Sequence, residues 1–177
     1  MNLRRFWGLF FCLGLFAISE AVADAPLTIS SPDFQNSLFI PQKYSQHGGN
    51  SIPELHFSNV PAKAKSLVVM VDDPDSPTGL WTHWLVWNIP ASTSSLNGRK
   101  LPSGAIQGKN SFGNVHYDGP APPNGMHRYF FRVYALDTTL SLPAGTVRGG
   151  LAAALTGHVI SHAEFFGTYA EKLSVPH

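Results

Sequence analysis

Ser66 to Asp72 reads Ser-Leu-Val-Val-Met-Val-Asp, a continuous β-branched apolar run whose length predicts a strand buried on both faces. Asp73-Pro74 stops it. Trp81 to Ile89 alternates instead, with His83, Leu85, Trp87 and Ile89 on one side and Thr82, Trp84, Val86 and Asn88 on the other, and Pro90 closes it. Tyr129 to Leu136 has high β propensity and ends in a turn at Asp137 and Thr138. These three strands are expected side by side in one sheet. Nearer the N-terminus, Ile29 to Phe39 and Pro41-Gln42-Lys43-Tyr44 predict a short strand and then an irregular polar segment, which Gly48, Gly49, Asn50 and Pro53 keep from being regular.

Between Asn97 and Gly125 the chain turns rich in Gly, Pro, Ser and Asn, a long loop that Phe112 and Tyr117 predict to be packed rather than loose. One helix is expected, capped by Thr146 and built on Leu151, Ala152, Ala153, Ala154 and Leu155, with Gly149, Gly150 and Gly157 weakening its ends. Glu164 to Tyr169 predicts a final strand or an extended tail on the sheet. In the pairs Phe130-Phe131 and Phe165-Phe166, strand geometry sends one ring of each to the core. Many strands, turn-rich loops and one helix indicate a mostly-β single domain, a sandwich or sheet pair with a peripheral helix.

The 177-residue chain opens with Arg4 and Arg5, an apolar run from Phe6 to Ile18, and small residues around Ala21, Ala23 and Ala25. That order predicts a secretory leader over residues 1–23, removed after Ala23 or Ala25, because the run is shorter than the roughly 18 residues a spanning helix needs. A periplasmic or secreted product without stable membrane insertion is therefore expected. Residues 24–177 then hold ten basic and ten acidic side chains and no cysteine, since Cys12 goes with the leader. Formal neutrality disfavours a nucleic-acid partner or broad adsorption to anionic lipid, and stability must come from packing without disulfides.

Polar residues collect at predicted strand ends: Asp72-Asp73-Pro74-Asp75-Ser76-Pro77 after the first, His83 at the start of the second, His127-Arg128 before the third. Taken singly, Asp73 and Asp75 are turn residues, His83 is a packed core histidine, and Arg128 pairs with Asp75 to tie two loops together. Together they form a pattern. Asp73-Pro74-Asp75-Ser76-Pro77 with Trp81-Thr82-His83-Trp84, and Gly119-Pro120-Ala121-Pro122-Pro123 with Gly125-Met126-His127-Arg128-Tyr129, resemble the two signatures of the phosphatidylethanolamine-binding protein family. Leu27 to Pro32, Ile40-Pro41, Gly108-Lys109-Asn110, Tyr134-Ala135-Leu136-Asp137 and Gly157-His158-Val159 are similar to its bacterial, Raf-kinase-inhibitor-like branch.

The resemblance implies one domain over residues 24–177, a β-sandwich of a large central sheet and a smaller one with a peripheral C-terminal helix. It further implies an anion pocket lined by Asp73, His83, His127 and Tyr129, with Asp75 and Trp81 adjacent and the backbone of Gly119, Ala121 and Pro122 at its rim. Ala121 departs from the Cys or Gly that relatives carry there, which bears on the rim's shape. Imidazole and phenol groups can donate to phosphate-type oxygens, and a carboxylate can accept from a protonated phosphate. A small phosphorylated or other anionic ligand is thus expected, with a possible protein partner and no cofactor. The alternatives are an enzyme using His83 or His127, oriented by Asp73, as general acid or base on a small anionic substrate, and a regulator acting only through protein contacts. No nucleophile, phosphate-loop or dinucleotide motif is present in the sequence. His158 and His162 stand four apart, as metal ligands on a helix face do, but no third ligand is evident and no metal is expected.

Overall fold

β3 (Ser66–Asp73) is buried at every position, as its unbroken apolar run requires, because β4 (Trp81–Pro90) and β7 (His127–Leu136) pair with its two edges while other layers cover its two faces. In a computed structural model the protein is described over residues 25–97 and 100–171. The expected leader, its cleavage site after Ala23 and Cys12 lie outside these residues.

Two antiparallel sheets make up the fold. The five-stranded sheet runs β6 (Ile106–Gln107), β4, β3, β7, β8 (Val159–Tyr169), and the three-stranded sheet runs β1 (Thr28–Ser30), β2 (Leu55–Ser58), β5 (Ser95–Leu96). Between them lies the larger core, where Leu67, Val69 and Val71 of β3 and Phe131, Val133 and Ala135 of β7 meet Ile29, Ile40, Leu55 and Phe57. The opposite face of the large sheet presents Val68, Met70, Leu85, Trp87 and Leu136 to Leu151 and Leu155 of α1 (Arg148–Leu155). The arrangement is three layers, small sheet, large sheet and helix, and not a closed barrel.

Some expectations need revision. Thr146 does not cap α1. Its hydroxyl donates to the Pro143 carbonyl at 2.7 Å, and Val147 occupies the cap position without a side-chain bond. The final strand starts at Val159, five residues earlier than expected, so His162 lies on a strand and His158 precedes it. Those histidines therefore share no helix face: His158 Nδ1 meets Asp137 at 2.9 Å, and His162 stacks on Tyr134. The aromatic pairs divide between faces, Phe131 stacking on Phe165 in the core and Phe130 on Phe166 outside it.

Strict alternation also fails on β4. Asp72 pairs with Thr82 and Val71 with Trp84, so His83 is the extra residue of a β-bulge. A bulge re-aims the chain. Alternation would place His83 on the helix side with Leu85, whereas it faces the side of Trp84, toward Asp73. A second irregularity near Asn88, whose φ is +56°, brings Ile89 onto the face of Val86.

Candidate functional site

β3 ends in two adjacent carboxylates that strand geometry sends to opposite faces. Asp72 points to the helix layer, fully buried, where it accepts from Thr82 Oγ1 at 2.8 Å and pairs with Arg132 at 3.2 Å and Arg148 at 3.1 Å. It anchors α1 to the sheet. Asp73 points the other way. Its Oδ1 accepts the Asp75 N–H at 2.8 Å, closing the turn that Pro74 begins, and its Oδ2 accepts from His127 Nδ1 at 2.7 Å. Turn closure and contact with a buried histidine thus come from one carboxylate.

Asp75 gives both oxygens to Arg128. The arginine Nε and backbone N–H reach Oδ2 at 2.9 Å, and Nη2 reaches Oδ1 at 2.7 Å. Those bonds, together with the guanidinium charge, hold the Asp75 carboxyl down to about 2 despite partial burial. The fork ties the 74–80 loop to the start of β7.

His83 is held on three sides. Its Nδ1 lies 2.7 Å from the Asp118 carbonyl oxygen, and its ring meets Tyr129 and Phe112 edge-on at 5.1 and 5.4 Å. Burial lowers its affinity for a second proton more than the Asp118 carbonyl and the Asp73 charge raise it, so its pKa lies below the ordinary imidazole value. Tyr129 is buried as well. Its hydroxyl lies against the Ala121 peptide but has no partner at hydrogen-bond geometry among the described residues, and burial followed by the nearby Asp73 charge pushes its pKa up.

The long loop is fixed by a carboxylate held among amides. Asp118 accepts from Asn50 at 3.1 Å, Asn110 at 2.7 Å and Asn114 at 2.9 Å. Burial opposes its charge, yet these three donors hold its pKa below the usual carboxylate value. Asn110 also donates to the His83 and His116 carbonyls, and Asn50 Oδ1 accepts the Gly119 N–H at 2.7 Å. Gly119 passes so close to the Tyr44 carbonyl that a Cβ there would collide with it. Of the rim residues 119–123, three are proline and Gly119 is committed to Asn50, which leaves the Ala121 N–H, beside the Tyr129 hydroxyl, as the rim's remaining amide donor.

Around these groups lies a cavity of about 210 Å³ lined by Asp73, Ser76, Pro77, Thr78, Trp81, His83, Phe112, Ala121 and Pro123. Of the residues expected at the site, Asp73, His83, Trp81 and Ala121 line it. His127 and Tyr129 stand behind that lining, and Gly119 and Pro122 are buried under the rim. His127 and Asp75 border instead an adjoining open cleft with Met126, Arg128 and Thr168. A larger cleft of about 610 Å³ lies beside Lys43, Glu54 and His116. The strand-end cavity is the better candidate, because buried histidine, carboxylate and phenol groups converge on it. Among the described residues, no group of three or more His, Cys, Asp or Glu side chains is placed to hold a metal.

Asn50, Asn110 and Asp118 were not legible as site residues. Asn110 stands out only as part of the Gly108-Lys109-Asn110 resemblance, and nothing local marks Asp118 apart from its place before Gly119.

Comparison with known proteins identifies the family. The family model described as phosphatidylethanolamine-binding protein matches residues 30–170. A UPF0098 protein of Methanothermobacter thermautotrophicus is 44% identical over 135 residues, covering 73% of this chain and 89% of its own. A UPF0098 protein of Chlamydia trachomatis is 43% identical over 149 residues, covering 81% and 98%. Among solved structures, a putative phosphatidylethanolamine-binding protein homolog from Chlamydia trachomatis superposes with a TM-score of 0.79 at 42% identity, covering 83% of this chain and 99% of that one. Escherichia coli YbcL, described as a member of the mammalian family, superposes at 0.78 with 34% identity, covering 84% and 100%. The chain belongs to the phosphatidylethanolamine-binding protein family.

Proposed function

We propose that this protein is an exported binding protein whose strand-end cavity takes a small phosphoryl-type ligand, a phosphomonoester or phosphoethanolamine headgroup. One observation carries the reading: the buried Tyr129 hydroxyl has no hydrogen-bond partner among the described residues, and it sits beside His83, Asp73 and the Ala121 amide, directly behind the lining of a cavity of about 210 Å³. An unanswered buried hydroxyl costs about 1 to 3 kcal/mol, so a ligand oxygen there gains more than it would on an open surface. At the lining the Ala121 N–H and the Thr78 hydroxyl supply donors, with the Tyr129 O–H directly behind them, while His83 and Asp73 supply acceptors. That mixture suits a tetrahedral oxyanion retaining a proton or carrying an ammonium arm.

The test is calorimetric titration with phosphoethanolamine of the parent, His83→Ala and His127→Ala, with thermal melts alongside. Each variant is expected to lose about ten- to hundred-fold in affinity, the worth of one charge-assisted bond, with the fold kept. His83 acts from the cavity lining, whereas His127 acts through Asp73. The two losses are expected to fall short of additivity, since both touch one network. Unchanged affinity in both variants at parent stability overturns the reading. Conversion of the ligand, followed by phosphorus NMR, would make the protein an enzyme, with His83 or the Asp73 and His127 pair as its acid-base group.

A further inference from the structure

His83 is held in one tautomer. A carbonyl oxygen only accepts, so the 2.7 Å contact with the Asp118 carbonyl places a proton on Nδ1. In the neutral ring, Nε2 then offers a lone pair and no proton. The sequence-level expectation that both imidazoles donate to an anion therefore does not carry over to His83.

The surroundings decide whether the ring takes a second proton. From β3, Asp73 and Asp72 favour the cation, and the Asp118 and Gly119 backbone favours it as well. From β7, Tyr129 meets the ring edge-on and His127 lies behind Asp73. Burial outweighs the favourable contributions and keeps the ring neutral into the range where a free imidazole would be charged. One edge of the cavity, Asp73 and His83, accepts hydrogen bonds, while the Ala121 corner, with Tyr129 behind it, donates. A fully ionised phosphate would set oxygen against that accepting edge.

Resting on the phosphoryl-binding reading, we infer that the cavity selects an anion carrying its own acidic proton. That species is the singly protonated phosphomonoester, with His83 Nε2 accepting its P–OH, in preference to phosphodiesters, sulfate esters and the doubly ionised monoester. An intact lipid headgroup is a phosphodiester and lacks this proton. A free phosphomonoester has it.

Ethyl phosphate, diethyl phosphate and ethyl sulfate separate the possibilities. At pH 5.5 each carries mainly one negative charge, since a phosphomonoester loses its second proton near pH 6, and ethyl sulfate nearly matches ethyl phosphate in size. Titration calorimetry at pH 5.5 is expected to show ethyl phosphate binding about ten-fold or more tighter than the other two. Above about pH 6, its affinity is expected to fall by up to about ten-fold per pH unit, tracking the monoanion. Diethyl phosphate and ethyl sulfate, having no proton to lose, are not expected to follow that curve. His83→Gln, which introduces an amide donor, is expected to bring ethyl sulfate within about three-fold of ethyl phosphate. Near-equal binding of all three by the parent, or tighter ethyl phosphate binding at pH 8 than at pH 5.5, overturns the inference and leaves phosphoryl binding standing. Failure of all three, and of phosphoethanolamine, to bind at millimolar concentration overturns the phosphoryl reading itself.

Discussion

Tyr129→Phe removes the orphaned hydroxyl and keeps the ring that packs against His83. Stability is expected to hold or rise by about 1 kcal/mol, while phosphoethanolamine affinity drops about ten-fold. Thermal melts and calorimetry read the two effects separately, and a marked loss of stability would show that the hydroxyl is answered within the protein. His83 gives a pH signature of the opposite sense to a histidine stabilised by its charge. Its folded pKa lies below 6.5, so the unfolded chain takes up a proton first as pH falls. The stability it contributes is complete above about pH 6.5 and drains away as pH drops through the depressed folded value. The Asp75 contribution is lost much lower, as its carboxyl titrates from the ordinary 3.8 toward about 2. Urea unfolding from pH 8 to 4.5 is expected to show the first loss, with a shallower slope in His83→Gln.

At the scale of elements, the site depends on how loops are tied to strand ends. Arg128 is half exposed and Asp75 about a quarter exposed, at 52% and 27%. Arg128→Ala is therefore expected to lower Tm by no more than about 4 °C, in keeping with a screened surface pair. Gly119→Ala acts differently, since its Cβ meets the Tyr44 carbonyl and not a yielding side chain. About 1 to 3 kcal/mol of stability is expected to go, together with phosphoethanolamine affinity, because the rim must shift to relieve the clash. Denaturant midpoints and titration of this one variant check both. Strands were legible where pattern and packing agree: the unbroken β3 run names a doubly covered strand, and the β7 pattern names the next. β2, β5 and β6 were missed because they are four residues or fewer, too short for a period to show. The bulge at His83 was invisible for another reason, since it exists only as a mismatch in register with β3.

Across the molecule, the site gathers Asp73 from β3, His83 from β4, His127 and Tyr129 from β7, and Asp118 from the loop between β6 and β7. Asp73, His83, His127 and Tyr129 could be named from the two motifs, because those residues sit at strand ends within short stretches, whereas Asp118 could not. Nor could the amide partners of Asp118: Asn50 is brought to it by folding from far along the chain, and Asn114, though four residues away, sits in a loop whose composition marks no such role. Sheet order has one more effect, on how the chain is made. β7 pairs with the free edge of β3 but begins more than fifty residues later. A ribosome adding 5 to 20 residues per second leaves roughly 3 to 13 seconds between completion of β3 and completion of β7. Throughout that interval the nascent chain presents Leu67 to Val71 as an apolar edge with no partner. Translation arrested near Gly125 is thus expected to yield an aggregation-prone or chaperone-held fragment, and the released full-length chain, with β7 and β8 free of the exit tunnel, a soluble one.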